Sequence, residues 1–135
     1  MIYLLDTNVV SETISPKPNP TVIDWLDSLD PMHCALSVIT LGEIRRGIQK
    51  IEVGKRKLRL LHWLELTLPE LSPNILPVDI EVAEKWGYIT GKTNVPSIDG
   101  LIAATALAHN LKLVTRNTKD FCVVPGIEIF NPWEL

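Results

Sequence analysis

Residues 97–121 have the sequence SIDGLIAATALAHNLKLVTRNTKDF, and this stretch decides the fold class. Its middle part, LIAATALA, would be apolar on every side of a helix, which is typical of a helix buried between other elements. We predict a helix over 97–110, with Ser97 as its N-cap, followed by a short apolar strand over 111–115. A buried helix joined directly to a short apolar strand favours an α/β fold.

The rest of the chain repeats this alternation of short apolar runs and helical patterns. The segment 15–20 is predicted as a loop, because its three prolines block both helix and strand pairing. Short strands separated by helices indicate a parallel sheet that helices cover on its faces. The predicted strands are 2–5, 35–38, 75–78, 111–115 and 127–130, and the predicted helices are 9–14, 21–29, 39–52, 55–68, 80–90 and 97–110.

Length and composition suit one domain spanning residues 1–135. Hydrophobic residues make up 46% of the chain and charged residues 21%, which provides a core and excludes a disordered chain. No apolar run approaches the roughly 20 residues that span a bilayer, so no membrane association is predicted. The N-terminus lacks a basic segment and Asp6 interrupts its apolar run, so we expect a cytoplasmic protein without a signal peptide.

Cysteine and histidine give no sign of a disulfide or a zinc site. Cys34 and Cys122 both lie in apolar surroundings and are predicted to be small buried thiols. There is no CxxC motif, and the three histidines are scattered.

The net charge of −3 is not that of a general nucleic-acid binder. Seven basic residues nevertheless crowd between positions 45 and 59. This stretch either steers RNA phosphates or forms the solvated face of a helical hairpin.

Acidic residues occur where ligands of open α/β sheets usually bind, beyond the carboxyl ends of the strands. Asp6 follows the first strand, and Asp120 lies just past the strand at 111–115. Asp99 opens the buried helix, and Glu43 lies about one turn into the helix after the second strand. Taken singly, each aspartate has an alternative role as a helix cap or turn residue, and Glu43 as a solvated helix residue.

If these carboxylates converge, their repulsion raises their pKa values unless a cation joins them. Oxygen-only ligands select hard cations such as Mg²⁺ or Mn²⁺, and such ions activate water to cut phosphodiesters. The neighbouring polar residues either orient the carboxylates or serve in ordinary turns and caps. These residues are Thr7, Asn8, Thr115 and Asn117.

Four segments carry a family resemblance. They are MIYLLDTNVVSE at 1–12, ALSVITLGEIRRGI at 35–48, the stretch at 97–121, and IEIFNPWEL at 127–135. Together, and in this order, they resemble PIN domains of the VapC toxin family, most closely its FitB-like members. The resemblance spans almost the whole chain.

The resemblance implies a three-layer α/β/α sandwich with a central parallel sheet and an acidic pocket for Mg²⁺ or Mn²⁺. It also implies an endoribonuclease toxin whose products carry a 5′-phosphate and a 3′-hydroxyl. The implied partners are the RNA substrate, a cognate antitoxin, a second copy in a homodimer, and a higher assembly with antitoxin and operator DNA.

Matched by motif, Asp6 and Asp99 are implied metal ligands, and Glu43 is implied to position the cation directly or through water. Asp120 is the fourth acid. Some relatives carry an acid at the position of Asn117, which leaves open whether Asn117 or Asp120 completes the pocket and whether a second metal binds. The implied supporting polar residues are Asn8, Thr115 and Asn117, and Arg46 is an implied contact to RNA or antitoxin.

Two alternatives remain at this stage. The first is a weakly catalytic or non-catalytic protein that acts with its antitoxin in a DNA-bound regulatory complex. The second is an aspartyl-phosphate enzyme with Asp6 as nucleophile. Such enzymes usually carry a second Asp two residues later, whereas this chain has Asn8.

The four tryptophans and His109 have less specific roles. Most of the tryptophans are predicted to pack in the core or in a dimer rather than stack on bases. His109 lies near the end of the buried helix, where an interaction with the helix terminus is expected rather than a general-base role.

Overall fold

The computed structural model describes all 135 residues and contains one five-stranded sheet. The strands are β1 (Tyr3–Leu5), β2 (Cys34–Ser37), β3 (Asn74–Leu76), β4 (Lys112–Val114) and β5 (Ile129–Phe130). Their order in the sheet is β3-β2-β1-β4-β5, and every neighbouring pair is parallel. The predicted parallel sheet is therefore confirmed, with each predicted strand present.

Eight α-helices surround the sheet. They are α1 (Thr7–Glu12), α2 (Pro20–Asp27), α3 (Val38–Gln49), α4 (Lys55–His62), α5 (Leu68–Leu71), α6 (Ile80–Lys92), α7 (Ser97–Ala108) and α8 (Thr118–Phe121). A π-helical turn, Trp63–Thr67, joins α4 to α5, so the helix predicted over 55–68 continues further than expected. Single 3₁₀ turns lie at Pro31–His33 and Pro132–Glu134. None of these helices is both long and apolar enough to cross a bilayer.

Two separate buried clusters show that the sheet is covered on both faces. Leu4 belongs to the cluster that includes residues of α6 and α7, whereas Leu5 belongs to the cluster that includes residues of α1 and α3. In β4, Leu113 belongs to the same cluster as Leu4, and Val114 belongs to the same cluster as Leu5. Because successive strand residues point to opposite faces, these two cores lie on opposite sides of the sheet. The three-layer α/β/α sandwich is confirmed.

The sheet order reverses between β1 and β4. From β1 the chain moves outward to β2 and β3, then crosses to the other side of β1 to form β4 and β5. Such a switch point leaves a crevice beyond the carboxyl ends of the two central strands. Asp6 follows β1 and Thr115 follows β4, so both lie at this crevice.

Three local predictions were wrong or incomplete. Ser97 is the first residue of α7 and not its N-cap, because Pro96 occupies the N-cap position and no side chain caps the helix. Cys34 is a buried free thiol as predicted, but Cys122 is exposed. The short helix α8 was not predicted, since four residues are too few to show a helical pattern.

Aromatic residues pack within the chain as expected. Trp25 makes an edge-on contact with Tyr3 at 5.4 Å between ring centroids, and a tilted contact with Phe130 at 4.7 Å. The indole N–H of Trp86 donates to the carbonyl oxygen of Ser97 at 3.0 Å, which ties α6 to the start of α7. His109 is the C-cap residue of α7, and its buried Nε2 has no hydrogen-bond partner.

Candidate functional site

Asp6 is buried at the carboxyl end of β1, with only 5% of its surface exposed. It is the N-cap of α1, where its Oδ1 accepts from the backbone N–H of Thr7 at 2.8 Å. Its Oδ2 accepts from the hydroxyl of Thr115 at 2.8 Å and from the side-chain amide of Asn8 at 3.3 Å. The capping role and the candidate site role therefore belong to the same side chain.

The pKa of Asp6 is raised above its ordinary value, because burial penalises the charged form. The hydrogen bonds from Thr115 and Thr7 lower the pKa, but they do not offset burial, and the nearby charge of Glu43 raises it further. Asp6 is thus a carboxylate held in fixed geometry in an environment that disfavours its negative charge.

Glu43 lies in the second turn of α3, whose N-cap Ser37 accepts from the N–H of Ile39. Its Oε1 accepts a 2.6 Å hydrogen bond from the hydroxyl of Thr7. The same Thr7 oxygen lies 3.2 Å from the hydroxyl oxygen of the buried Thr40, so Thr7 can donate to Glu43 while accepting from Thr40. Thr7, the residue after Asp6, therefore links the start of α1 to the acid of α3.

Asp99 is the third residue of α7 and is half-buried. Its pKa is raised to about 6, mainly by burial and then by the charges of Asp6, Asp120 and Glu43. The N-terminus of a helix normally favours a negative charge. Here burial and three like charges outweigh that preference. The structure brings all four predicted acids close enough for the other three to raise the pKa of Asp99.

Asn117 and Asp120 follow β4 and lie next to one another. The side-chain amide of Asn117 donates to Oδ2 of Asp120 at 2.8 Å, and its backbone N–H donates to the hydroxyl oxygen of Thr115 at 2.9 Å. Asn117 thus holds Asp120 from one side. The charge of Asp120 raises the pKa of Asp99, so both residues belong to the same cluster.

None of the four acids has a cationic side chain as its partner, since the one ion pair of the chain joins Arg45 to Glu65 at 3.1 Å. Arg46, the predicted contact to RNA or antitoxin, is exposed. No three His, Cys, Asp or Glu side chains are close enough to one another to surround one metal ion. The site is therefore a group of repelling carboxylates and not a closed metal cage.

This donor set still fits a hard divalent cation. Mg²⁺ usually keeps several of its waters and takes one or two protein carboxylates, completing its coordination with substrate phosphates. A cation would also relieve the repulsion that raises the pKa of Asp99. The composition of the cluster, with oxygen donors and no neutralising lysine or arginine, favours Mg²⁺ or Mn²⁺ over softer metals.

Sequence reasoning missed two residues beside the acids. Thr40 lies three positions before Glu43 on α3, and this spacing places both on one helix face, which was a usable signal. Arg116 directly follows Thr115, and its backbone N–H donates to the side-chain oxygen of Asn8 at 3.3 Å. The only sequence feature that could have indicated Arg116 was its position directly after Thr115.

Comparison with protein families gives a match over residues 3–127 to the PIN domain. The toxin FitB of Neisseria gonorrhoeae is 42% identical over 138 residues, which cover 98% of this chain and 99% of FitB. The VapC ribonuclease Y4jK of Sinorhizobium fredii is 35% identical over 139 residues, again covering 98% of this chain and 99% of the relative. Both similarities extend over the full length of the proteins.

Solved structures show the same similarity. A structure of FitAB bound to an IR36 DNA fragment contains a chain that superposes with a TM-score of 0.91 at 39% identity. The match covers 99% of this chain and 97% of that one. Other structural neighbours are also toxin–antitoxin complexes, some of them with DNA.

Proposed function

Because the chain belongs to the PIN domain family, we propose that it is a Mg²⁺- or Mn²⁺-dependent endoribonuclease, the toxin of a type II toxin–antitoxin pair. The observation that carries this proposal is the cluster of four acids at the switch point of the sheet. The charges of the other three acids raise the pKa of Asp99, and the charge of Glu43 raises that of Asp6. No protein cation neutralises the cluster. Full-length relatives named as a toxin and as a ribonuclease support it.

In this proposal Asp6 and Asp99 hold the cation directly. Glu43, fixed by the 2.6 Å hydrogen bond from Thr7, positions the cation directly or through water. Asp120, held by Asn117, completes the acidic pocket. Thr115 and Asn8 keep the Asp6 carboxylate in place through their hydrogen bonds.

The residues of this site suit phosphodiester hydrolysis. A divalent cation held by these carboxylates supplies activation of a water molecule and stabilisation of the charge that develops on the phosphate oxygens. The chain's own contribution is to fix the carboxylates at the carboxyl edge of a rigid sheet and to bind the RNA backbone. No histidine, serine or cysteine nucleophile is needed.

The proposed partners follow from the relatives. Neighbouring structures are toxin–antitoxin complexes, so we propose a cognate antitoxin as the inhibitor, and operator DNA as a further component of the assembly. We also propose a homodimer and a cytoplasmic location.

The test is cleavage of total cellular RNA by the purified, antitoxin-free protein. We expect cleavage with Mg²⁺ or Mn²⁺, none with EDTA, and a loss of at least about 100-fold in Asp6→Ala and Asp99→Ala. Asp24→Ala, an exposed aspartate of α2, is the matched control and should cleave like the wild type. Equal cleavage by the wild type and both site variants would reject the site.

The DNA-bound neighbours favour one alternative, a protein that acts with its antitoxin only to regulate transcription. In that case the folded wild type would cleave no RNA with either metal, while the antitoxin complex would still bind its operator. Growth arrest on expression without the antitoxin, abolished by Asp99→Ala, would instead support the nuclease.

A further inference from the structure

Arg116 and Trp133 form a pair at the same edge of the sheet as the acidic cluster. Arg116 comes two residues after β4, and Trp133 comes three residues after β5, the neighbouring parallel strand. The ends of these strands are joined by a 3.0 Å hydrogen bond from the N–H of Thr115 to the carbonyl oxygen of Phe130. The guanidinium carbon of Arg116 lies 5.3 Å from the centre of the Trp133 ring.

Trp133 is held in place by packing and by a hydrogen bond. Asn131 caps the 3₁₀ turn that contains Trp133 and accepts from the N–H of Trp133 at 2.9 Å. Pro132 is buried, and Trp133 packs against the same core cluster as α1 and α3. The backbone of Arg116 is fixed at the site through its bond to Asn8. The backbone on both sides of the contact is therefore fixed, and the Trp133 ring gives the guanidinium a surface to stack on.

The guanidinium itself makes no hydrogen bond and no ion pair within the protein. A guanidinium stacked on an aromatic ring keeps its N–H donors in its own plane, where they remain available to an anion. The adjacent residue, Thr115, bonds directly to Asp6. A free cation thus lies one residue from the carboxylate cluster in a chain whose net charge is −3.

We propose that Arg116, held on Trp133, binds a phosphate of the RNA next to the phosphate that is cleaved. This inference rests on the proposed ribonuclease function and names a substrate contact for it. An acidic pocket repels the phosphates of an RNA backbone. A cation at the rim of the pocket offsets this repulsion and attracts the RNA. The planar guanidinium suits two phosphate oxygens at once, which a lysine ammonium does not.

The test measures binding of a fluorescein-labelled, mixed-sequence single-stranded RNA by anisotropy in EDTA, where no cleavage occurs. We expect Arg116→Ala to weaken binding about tenfold. The slope of log affinity against log salt should fall by about 0.7, the value for one phosphate contact to a single strand. Arg116→Lys should recover only part of the affinity.

Lys112→Ala is the matched control, because Lys112 is exposed at the opposite end of β4 and its removal changes the net charge equally. It should bind RNA like the wild type. Trp133→Leu should weaken binding less than Arg116→Ala, and combining the two should add little, since Trp133 acts by holding Arg116. A cooperative thermal unfolding transition will be required of each variant, as the check that it is folded.

Two results separate this inference from the proposed function. If Arg116→Ala and Lys112→Ala give the same affinity and salt slope while the wild type cleaves RNA, the Arg116 contact is wrong and the ribonuclease stands. If Arg116→Ala alone weakens RNA binding but no metal supports cleavage, the contact stands and the ribonuclease is wrong. If Arg116→Ala lost antitoxin binding but bound RNA like the wild type, the proposed RNA contact would also be overturned.

Discussion

The hydroxyl of Thr115 donates a 2.8 Å hydrogen bond to Oδ2 of Asp6, although 109 residues of sequence separate the two. Both side chains are buried, and they follow the two strands between which the order of the sheet reverses. The backbone joins them as well, since the N–H of Asp6 donates to the carbonyl oxygen of Val114 at 2.9 Å. The centre of the site is therefore built where the two central strands end, and both side-chain and backbone hydrogen bonds join it.

Thr115→Val removes this hydroxyl while keeping a side chain of similar shape. Because the bond from Thr115 lowers the pKa of Asp6, the variant should hold a more basic and less fixed carboxylate. We expect kcat/KM for RNA with Mn²⁺ to fall roughly 10–100-fold, as for loss of a residue that orients a metal ligand. Thr115→Ser retains the donor and should stay close to the wild type. Equal activity of the valine and serine variants would contradict the orienting role.

Thr7→Val tests the link between Thr7 and Glu43. The valine cannot donate the 2.6 Å bond to Oε1 of Glu43, nor meet the hydroxyl of Thr40. We expect Mn²⁺ affinity, measured by calorimetry, to fall roughly tenfold or more, with kcat/KM falling in parallel. The N–H of Thr7 still bonds to Asp6, so α1 keeps its cap and the melting temperature should change little. Thr7→Ser is the control, and it should bind Mn²⁺ like the wild type.

The strand–helix alternation was sufficient to predict a parallel sheet covered by helices, with Asp6 at the end of one strand and Asp120 a few residues after another. The neighbours of Asp99 were harder to predict, because its position depends on how α7 packs against α6. That packing depends on the close approach of Gly100 in α7 to Trp86 in α6, and the sequence alone does not reveal this contact. Ser97 was assigned as a cap from its residue type, yet Pro96 takes that position. Arg116 and Trp133 form a pair only because β4 and β5 are neighbours, which sequence spacing does not reveal.

Asp99→Asn should stabilise the metal-free protein at neutral pH. The pKa of Asp99 is raised from 3.8 to about 6, so between these values the folded chain binds more protons than the unfolded chain. Stability then falls as pH rises through this window, and the loss is complete above pH 6. Removing the charge should recover about 1 kcal/mol at pH 7.5, since Asp99 is only half-buried and water screens its neighbours.

Thermal unfolding in EDTA checks this prediction. The gain of Asp99→Asn over the wild type should be a few degrees at pH 7.5 and should vanish near pH 4. Asp24→Asn, at an exposed position of α2, should give no such pH-dependent difference. A variant less stable than the wild type at pH 7.5 would show that the carboxylate is stabilised rather than repelled. Mn²⁺ binding by the wild type should weaken below pH 6 for the same reason.

Asp120→Asn and Asn117→Ala distinguish the two residues that follow β4. The charge of Asp120 acts on Asp99, whereas Asn117 contributes an amide that holds Asp120. We expect Asp120→Asn to lower Mn²⁺ affinity more than Asn117→Ala does, by roughly tenfold against a few-fold. Asn117→Asp would place a second carboxylate beside Asp120 and should raise the pH needed for Mn²⁺ binding. A larger loss from Asn117→Ala would instead assign the ligand role to Asn117.

Gly100→Ala should destabilise the whole protein because Gly100 lies where α7 meets α6. A Cβ at this position would lie 2.9 Å from Cγ2 of Thr90 and 3.2 Å from Cδ1 of Trp86. Neither side chain can move freely, since the Thr90 hydroxyl is bonded to the Trp86 carbonyl oxygen and the Trp86 indole to the Ser97 carbonyl oxygen. We expect a loss of about 1–3 kcal/mol in the free energy of unfolding, measured with urea.

Gly47→Ala is the matched control for that substitution. Gly47 is also inside a helix, but a Cβ there meets nothing within 4 Å. Because alanine is the better helix former by roughly 1 kcal/mol, this variant should be more stable than the wild type. The opposite signs separate packing from helix propensity. If both variants were stabilised, α6 and α7 would have to be further apart at Gly100 than the structure places them.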